Sequence, residues 1–403
     1  MKSRQLMLLV IAALVLGGGG LWMLKKRQAS FDSSKVQMGD SVLGPFDGSA
    51  VTAVRIKQGS NSVNIVTEGS DWVVRERGNF PANVSELQSF FRKLTDLKVT
   101  RPVKVGASRL PLLELSGDSG TVVELLDASG KAVKTLRLGK QTTKGGGDEG
   151  PMGMGGGAFP DGRYVQVGEV VSLINDPLSN AKPAPADWIA KEFIKVEQPV
   201  TIQITHPEAT NSFTLSRTNE FAEWTLGELA AGESLDKNKL WSFNNILSSP
   251  SFTDIILNPD AAKLGLDQPT LAKIKTSGGL NYDVKVGKPE GDNYPVQVTV
   301  TGDLAKERTA GADEKPEDKE RLDKEFKEKL AKREQQLKTE QALGKWTFTV
   351  SKWTVDPILK KRSELLADKK PATPPANGAV PPGEPEPDLD PTALPLPVLP
   401  DDK

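Results

Sequence analysis

Short runs of alternating apolar and polar residues recur along this chain, and they recur in order. VTAVRI at 51–56 and SVNI at 62–65 flank a polar turn, as do VTIQI at 200–204 and SFTL at 212–215. Alternation with period two predicts strands with one buried face, and each pair reads as a hairpin. An acid-Trp pair follows in both places, Asp71-Trp72 and Glu223-Trp224. The period then changes to that of a helix. Leu87, Phe90, Phe91, Leu94 and Leu97 form one apolar stripe, and Leu240, Phe243 and Leu247 form a shorter one. Asn83 and Asp236 stand near the starts as N-cap residues.

The correspondence continues through Ala107–Leu110 and Ala261–Leu264, and through the strand-turn-strand runs 121–140 and 270–288. Both runs end on an apolar residue and Gly-Lys: Leu138-Gly139-Lys140 and Val286-Gly287-Lys288. Strands beginning at Tyr164 and Tyr294 come next, and SLINDPL at 172–178 matches KWTVDPI at 352–358. Ordered matches at a spacing near 150 residues point to an internal duplication. The expected fold is α+β: tandem duplicated units, each a mainly antiparallel sheet with a packed amphipathic helix. The units are placed at 31–198 and 199–366. Trp72 and Trp224 are expected in the core.

Two insertions interrupt the units. Residues 144–162, KGGGDEGPMGMGGGAFPDG, are too rich in glycine for a packed element and read as a flexible surface loop. The second insertion spans 303–344. Its charged segment 313–341 carries a narrow stripe of Leu322, Phe326, Leu330 and Leu337, with Glu320–Lys324 and Glu325–Lys329 as i,i+4 pairs. It reads as a solvated projecting helix, with partner binding through a coiled coil as the alternative. Pro316 suits its first turn. Residues 367–403 form a tail, with 11 prolines between 371 and 400, and are expected to be an extended, disordered spacer.

The first thirty residues change the picture of compartment. Leu6 to Leu24 is an uncharged run of 19 residues. As a helix it would span about 28 Å, close to the hydrocarbon thickness of a bilayer. Lys2 and Arg4 precede it, Lys25, Lys26 and Arg27 follow, and Trp22 lies near its far end. No A-x-A site favours the rival reading, a cleaved signal peptide. The basic flanks nearly balance, so orientation rests on the short N-terminus staying inside. The chain is therefore expected in the inner (cytoplasmic) membrane, single-pass, with its C-terminal body extracytoplasmic.

Composition narrows the chemistry. Lys plus Arg is 52 and Asp plus Glu is 53, a net charge of −1, which removes the broad electrostatic case for nucleic-acid binding. There is no Cys, hence no thiolate metal site or thiol nucleophile. The single His, His206, lies in a predicted turn, near the equivalent of Gln58, and reads as an exposed surface group. Gly139-Lys140 is followed by Gln141, so it is not a phosphate-binding loop. No catalytic, cofactor-binding or metal-ligating residue is assigned, and the chain is expected not to be an enzyme.

Asp71-Trp72, the helix from Asn83 to Leu97, Leu138-Gly139-Lys140, the Tyr164 strand, Asp187-Trp188 and the second set through Val286-Gly287-Lys288 together resemble the bacterial family called domain of unknown function 4340. The similarity covers roughly residues 50 to 366. It implies an envelope protein associated with ABC-type transporters or gliding-type auxiliary subunits, and it carries no catalytic residues. The glycine loop, the charged insertion and the Pro-rich tail depart from the family pattern. Two further functions compete with an envelope protein that binds protein partners. One is a cell-wall or polysaccharide-binding module using exposed Trp and the glycine loop, with Trp346 or Trp353 required. The other is a carboxylate-dependent hydrolase, which needs two acids on one cleft.

Overall fold

The computed structural model describes residues 36–45, 47–144, 159–310 and 314–367. The apolar run 6–24, the centre of the glycine segment and the Pro-rich tail lie outside them. Among the described residues no helix is long and apolar enough to cross a membrane.

Alternation becomes two mainly antiparallel sheets. The first contains β1 (Ala53–Gln58), β2 (Asn61–Glu68), β3 (Asp71–Val74), β4 (Phe80–Pro81), β5 (Arg101–Pro102), β6 (Thr121–Leu126), β7 (Ala132–Lys144), β8 (Phe159–Val167) and β9 (Val170–Ile174). Their order is β4-β3-β2-β1-β6-β7-β8-β9-β5. The second contains β10 (Pro199–Thr205), β11 (Phe213–Ser216), β12 (Thr225–Leu226), β13 (Asp254–Ile256), β14 (Thr270–Thr276), β15 (Leu280–Val286), β16 (Asn293–Gly302) and β17 (Thr347–Ser351). Their order, β12-β11-β10-β14-β15-β16-β17-β13, repeats that of the first sheet without β4.

Register matches as well as order. Val54 pairs with Ile65 and Leu125, while Ile202 pairs with Leu215 and Ile274. Ile65 lies opposite Val74 and Leu215 opposite Leu226, which puts Trp72 and Trp224 at the same position. Trp224 is buried, and Trp72 is half-buried against the core. The side chains between, such as Arg55, face outward, where Arg55 donates to Asn64 at 2.8 Å and Glu124 at 3.1 Å.

Helix α1 (Val84–Asp96) buries Leu87, Phe90 and Leu94, and Asn83 caps it by accepting from the Glu86 amide at 3.0 Å. Each of these apolar side chains contributes about 1.5–3 kcal/mol by burial. The Phe90 ring meets the buried Trp188 edge-on at 5.3 Å. The second stripe does not make an equal helix. Asp236 caps only a 3-10 turn, Lys237–Leu240, followed by a single turn α2 (Trp241–Asn244). Asn244-Asn245 and Ser248-Ser249-Pro250 are poor helix formers, and Leu247 turns left-handed at φ 50°.

Three other expectations are corrected. Lys144 and residues 159–162 are strand, because β7 and β8 pair out to Lys144 opposite Phe159. The match of 172–178 with 352–358 breaks in the structure: Asp176-Pro177 follows β9, whereas Asp356-Pro357 lies inside helix α5 (Lys352–Leu359). Short helix α3 (Ala261–Leu264) belongs to the second sheet's loops. His206 is in the β10–β11 turn but half-buried, with Nε2 donating to the Lys360 carbonyl at 3.0 Å and Nδ1 facing Thr270 Oγ1 at 3.3 Å.

One hydrophobic cluster runs through both sheets, although the strands change sheet at Pro199. Phe80 of β4 meets Phe252, Trp346 and Phe348 of the second sheet at ring distances of 6.0, 5.1 and 6.3 Å. Beside this joint, Arg77 donates twice to Asp254, at 2.5 and 2.6 Å.

The charged helix α4 (Pro316–Gln341) is anchored rather than projecting. Leu337 packs on the core beside Gly302, and Phe326, Leu330 and Arg333 lie against the 277–279 and 303–305 turns. Arg308 ties the preceding loop to Glu314 and Asp323. The ion pairs along it use Arg321, with Asp318 at 3.0 Å and Glu325 at 2.8 Å, instead of those expected. At its C-terminal end Glu340 is buried. Its Oε1 accepts from the Lys195 amide and from Gln336, both at 2.9 Å, while Oε2 has no hydrogen-bond partner among the described residues.

Burial pushes the Glu340 carboxyl above its ordinary value, opposed by those two donors. A carboxyl raised in the folded state fits best when protonated. Its contribution is full at pH below the unfolded carboxyl range and is lost as pH rises through the folded value. Glu340→Gln, which has no carboxyl to titrate, is therefore expected to flatten that decline. Urea denaturation across pH 4–8 checks this; parallel curves would contradict it.

Candidate binding surface

The shortness of the second helical segment opens the site. Where α1 is long, the equivalent segment gives way after α2 to an irregular chain over 245–251, which leaves two open grooves meeting at Trp241 and Asn245. The larger, about 750 Å³, lies between the 217–224 turn and α2, with Arg217, Phe221, Trp224 and Asn238 on its walls. The smaller, about 400 Å³, lies between α2 and α5, with Trp241 and Trp353 on either side. Both fall within the ~300–1,000 Å³ of ordinary ligand clefts.

The floor is rigid. The Trp224 indole donates to Asn244 Oδ1 at 2.9 Å, and Arg217 lies over the Trp224 ring at 4.3 Å. Arg217 also donates to the Pro199 carbonyl at 2.7 Å and to Asn244 at 3.2 Å. Its guanidinium is pulled below its ordinary value by burial, with Glu220 acting in the opposite sense. Leu247 is held left-handed, at a cost of about 1–2 kcal/mol, by burial of its side chain and by the Val196 amide, which donates to its carbonyl at 2.9 Å. Strain of this kind is retained where surrounding structure fixes it, often at functional sites.

The rim is aromatic and open to solvent: Phe221 is 90 %, Trp241 73 % and Trp353 89 % exposed. Trp353 stands on the outer side of α5, whose Val355 and Ile358 are buried. Pro357, lacking an N–H, leaves the Trp353 carbonyl without its helical donor.

Of the two Trp residues expected to serve a polysaccharide site, only Trp353 is available. Trp346 is half-buried against Phe80. Phe221 and Trp241 were not singled out by sequence reasoning. A signal for Trp241 did exist: it falls off the Leu240/Phe243/Leu247 stripe, so any helix there would turn it outward. Two acids, Glu220 and Glu223, do line the larger groove. Each is engaged by the protein itself: Glu223 by Lys237 at 2.5 Å, and Glu220 by Gln198 at 2.9 Å and Ser277 at 3.4 Å.

The Gly-Lys motifs are explained by close packing. A Cβ on Gly139 would stand 2.2 Å from the Leu113 carbonyl oxygen, and one on Gly287 would stand 2.2 Å from that of Leu264. Both strands pass directly under a short helical segment, and only glycine permits the approach. Among the described residues no group of acidic or His side chains is placed to hold a metal ion. Comparison with protein-family models, with curated proteins and with solved structures finds no match.

Proposed function

We propose that this chain is a non-catalytic binding protein of the cell envelope. A single span over 6–24 tethers it to the inner membrane, its body faces outward, and its second sheet presents the Phe221–Trp241–Trp353 surface to another envelope component. The reading is carried by that surface. Three large aromatic side chains stand exposed on one open groove system, whereas most of the other aromatics among the described residues are buried or half-buried against the core. Clustered exposed aromatics rimmed by polar groups mark interaction sites.

The common strand order of the two sheets supports descent from one duplicated unit. In this reading only the second copy lost the long helix, and it gained the grooves in exchange. The resemblance to the domain of unknown function 4340 implies a place beside an ABC-type transport or gliding-type assembly, with protein partners there. The outward face of α4 remains available for such a partner. A hydrolase is a weaker reading, since Glu220 and Glu223 are already engaged by neighbouring side chains.

Oxidative footprinting in intact cells tests the proposal. Trp241 and Trp353 are expected to be shielded there relative to the isolated protein, and equal labelling in both states would contradict it.

A further inference from the structure

We infer that the Trp241–Trp353 groove binds a linear, uncharged glycan, one built of neutral or N-acetylated hexose units. The inference rests on the reading of this surface as a binding site and names its ligand class.

Two features of the groove decide the chemistry. The first is the pair of indoles. Trp241 comes from α2 and Trp353 from α5, and they flank one groove with little of either ring covered. An indole face is the negative side of a quadrupole. The face of a pyranose ring presents several C–H bonds, polarised positive at hydrogen, over a similar area. Stacking satisfies both without burying a charge.

The second feature is the floor. Of its 13 lining residues, five are Ser, and Asp356 is the one ionisable residue. The side chains of Ser248, Ser249 and Ser251 make no hydrogen bond among the described residues. Hydroxyls and the Asn245 amide can each donate and accept, which matches the rim of hydroxyl and acetamido groups on a sugar. Protein–protein interfaces are depleted in Ser, so an aromatic pair on a serine floor fits a protein partner less well. A polyanion is disfavoured too, since no cation lines this groove and Asp356 does.

A chain suits the site better than a single sugar. The two grooves share Trp241 and Asn245, so Phe221, Trp241 and Trp353 mark one continuous track. Successive units of a β-linked polymer can then stack along it, while Asn238 and the serines meet their hydroxyls.

The test uses the full chain in detergent, titrated with chitohexaose and with cellohexaose, followed by intrinsic fluorescence and calorimetry. Saturable binding of at least one is expected, with Trp241→Ala and Trp353→Ala each weakening it about tenfold. Trp353→Phe should recover most of the affinity, and Leu112→Ala, which alters an exposed apolar residue elsewhere, should leave it unchanged. Unchanged thermal melting of the variants separates lost contact from lost fold. No binding of either sugar, or binding that both Trp substitutions leave intact, overturns the glycan inference. The footprinting result then tells the two ideas apart. Shielding of Trp241 in cells without sugar binding leaves the surface standing with a different ligand, whereas its absence removes both.

Discussion

Phe80→Ala is expected to cost the protein about 3–5 kcal/mol and to destabilise both sheets together. Phe80 is 2 % exposed and sits on β4, at the edge of the first sheet. Its neighbours Phe252, Trp346 and Phe348 belong to the second sheet's β17–β13 edge. Truncation removes the ring's transfer energy and leaves a cavity walled by aromatic side chains. Those walls are fixed on other sides: Phe193 packs at 5.3 Å from Phe252 and 4.8 Å from Phe348. Little collapse is therefore available, and the upper part of the range applies. Because one core crosses the boundary between sheets, the loss is shared. Urea denaturation followed by far-ultraviolet circular dichroism and by tryptophan fluorescence should give coincident transitions, both shifted to lower urea. A variant in which only one sheet melts early would show the sheets to be independent.

Gly287→Ala is the second large effect, and Gly139→Ala should reproduce it in the first sheet. At Gly287 the new methyl group would stand 2.2 Å from the Leu264 carbonyl oxygen and 2.9 Å from the Pro295 ring. The carbonyl cannot swing aside freely, since it accepts from the Lys288 amide at 2.7 Å. At Gly139 the clash is with the Leu113 carbonyl and with Leu115, a buried side chain. Relief requires moving backbone, so the expected loss is about 1–3 kcal/mol or more. Gly106→Ala is the control, because a Cβ there meets nothing within 4 Å and the residue has no positive φ. Thermal melting of the three variants decides the matter. Equal melting temperatures would show that the Gly-Lys motif has another purpose.

The strands were legible because period-two alternation couples directly to which face is buried. A slip by one residue would have exposed Val54 and Ile56, or Ile202 and Ile204, so sequence pattern and register agree at these positions. Trp72 and Trp224 were matched correctly for the same reason. The helices were less legible. Leu240, Phe243 and Leu247 carry a helical spacing, yet the intervening Asn244-Asn245 and the following serines end the helix after one turn, and Leu247 is buried from a left-handed backbone instead.

Tertiary contacts hid the rest. Glu340 sits in a highly charged segment and reads as solvated, but the Lys195 amide and Gln336 draw it into the interior. His206 reads as exposed until Lys360 and Thr270 close over it. The binding surface depends on α2 and α5 lying side by side, and over a hundred residues of sequence separate Trp241 from Trp353. No local pattern joins them.

The most direct test of the central claim is whether the aromatic surface is covered where the protein works. Hydroxyl-radical labelling, read by peptide mass spectrometry, should be run on intact cells and on the purified full chain. The account predicts that Phe221, Trp241 and Trp353, all open in the structure, lose most of their labelling in cells, while Leu112 is labelled equally in both. Unchanged labelling at the three aromatic positions would contradict it.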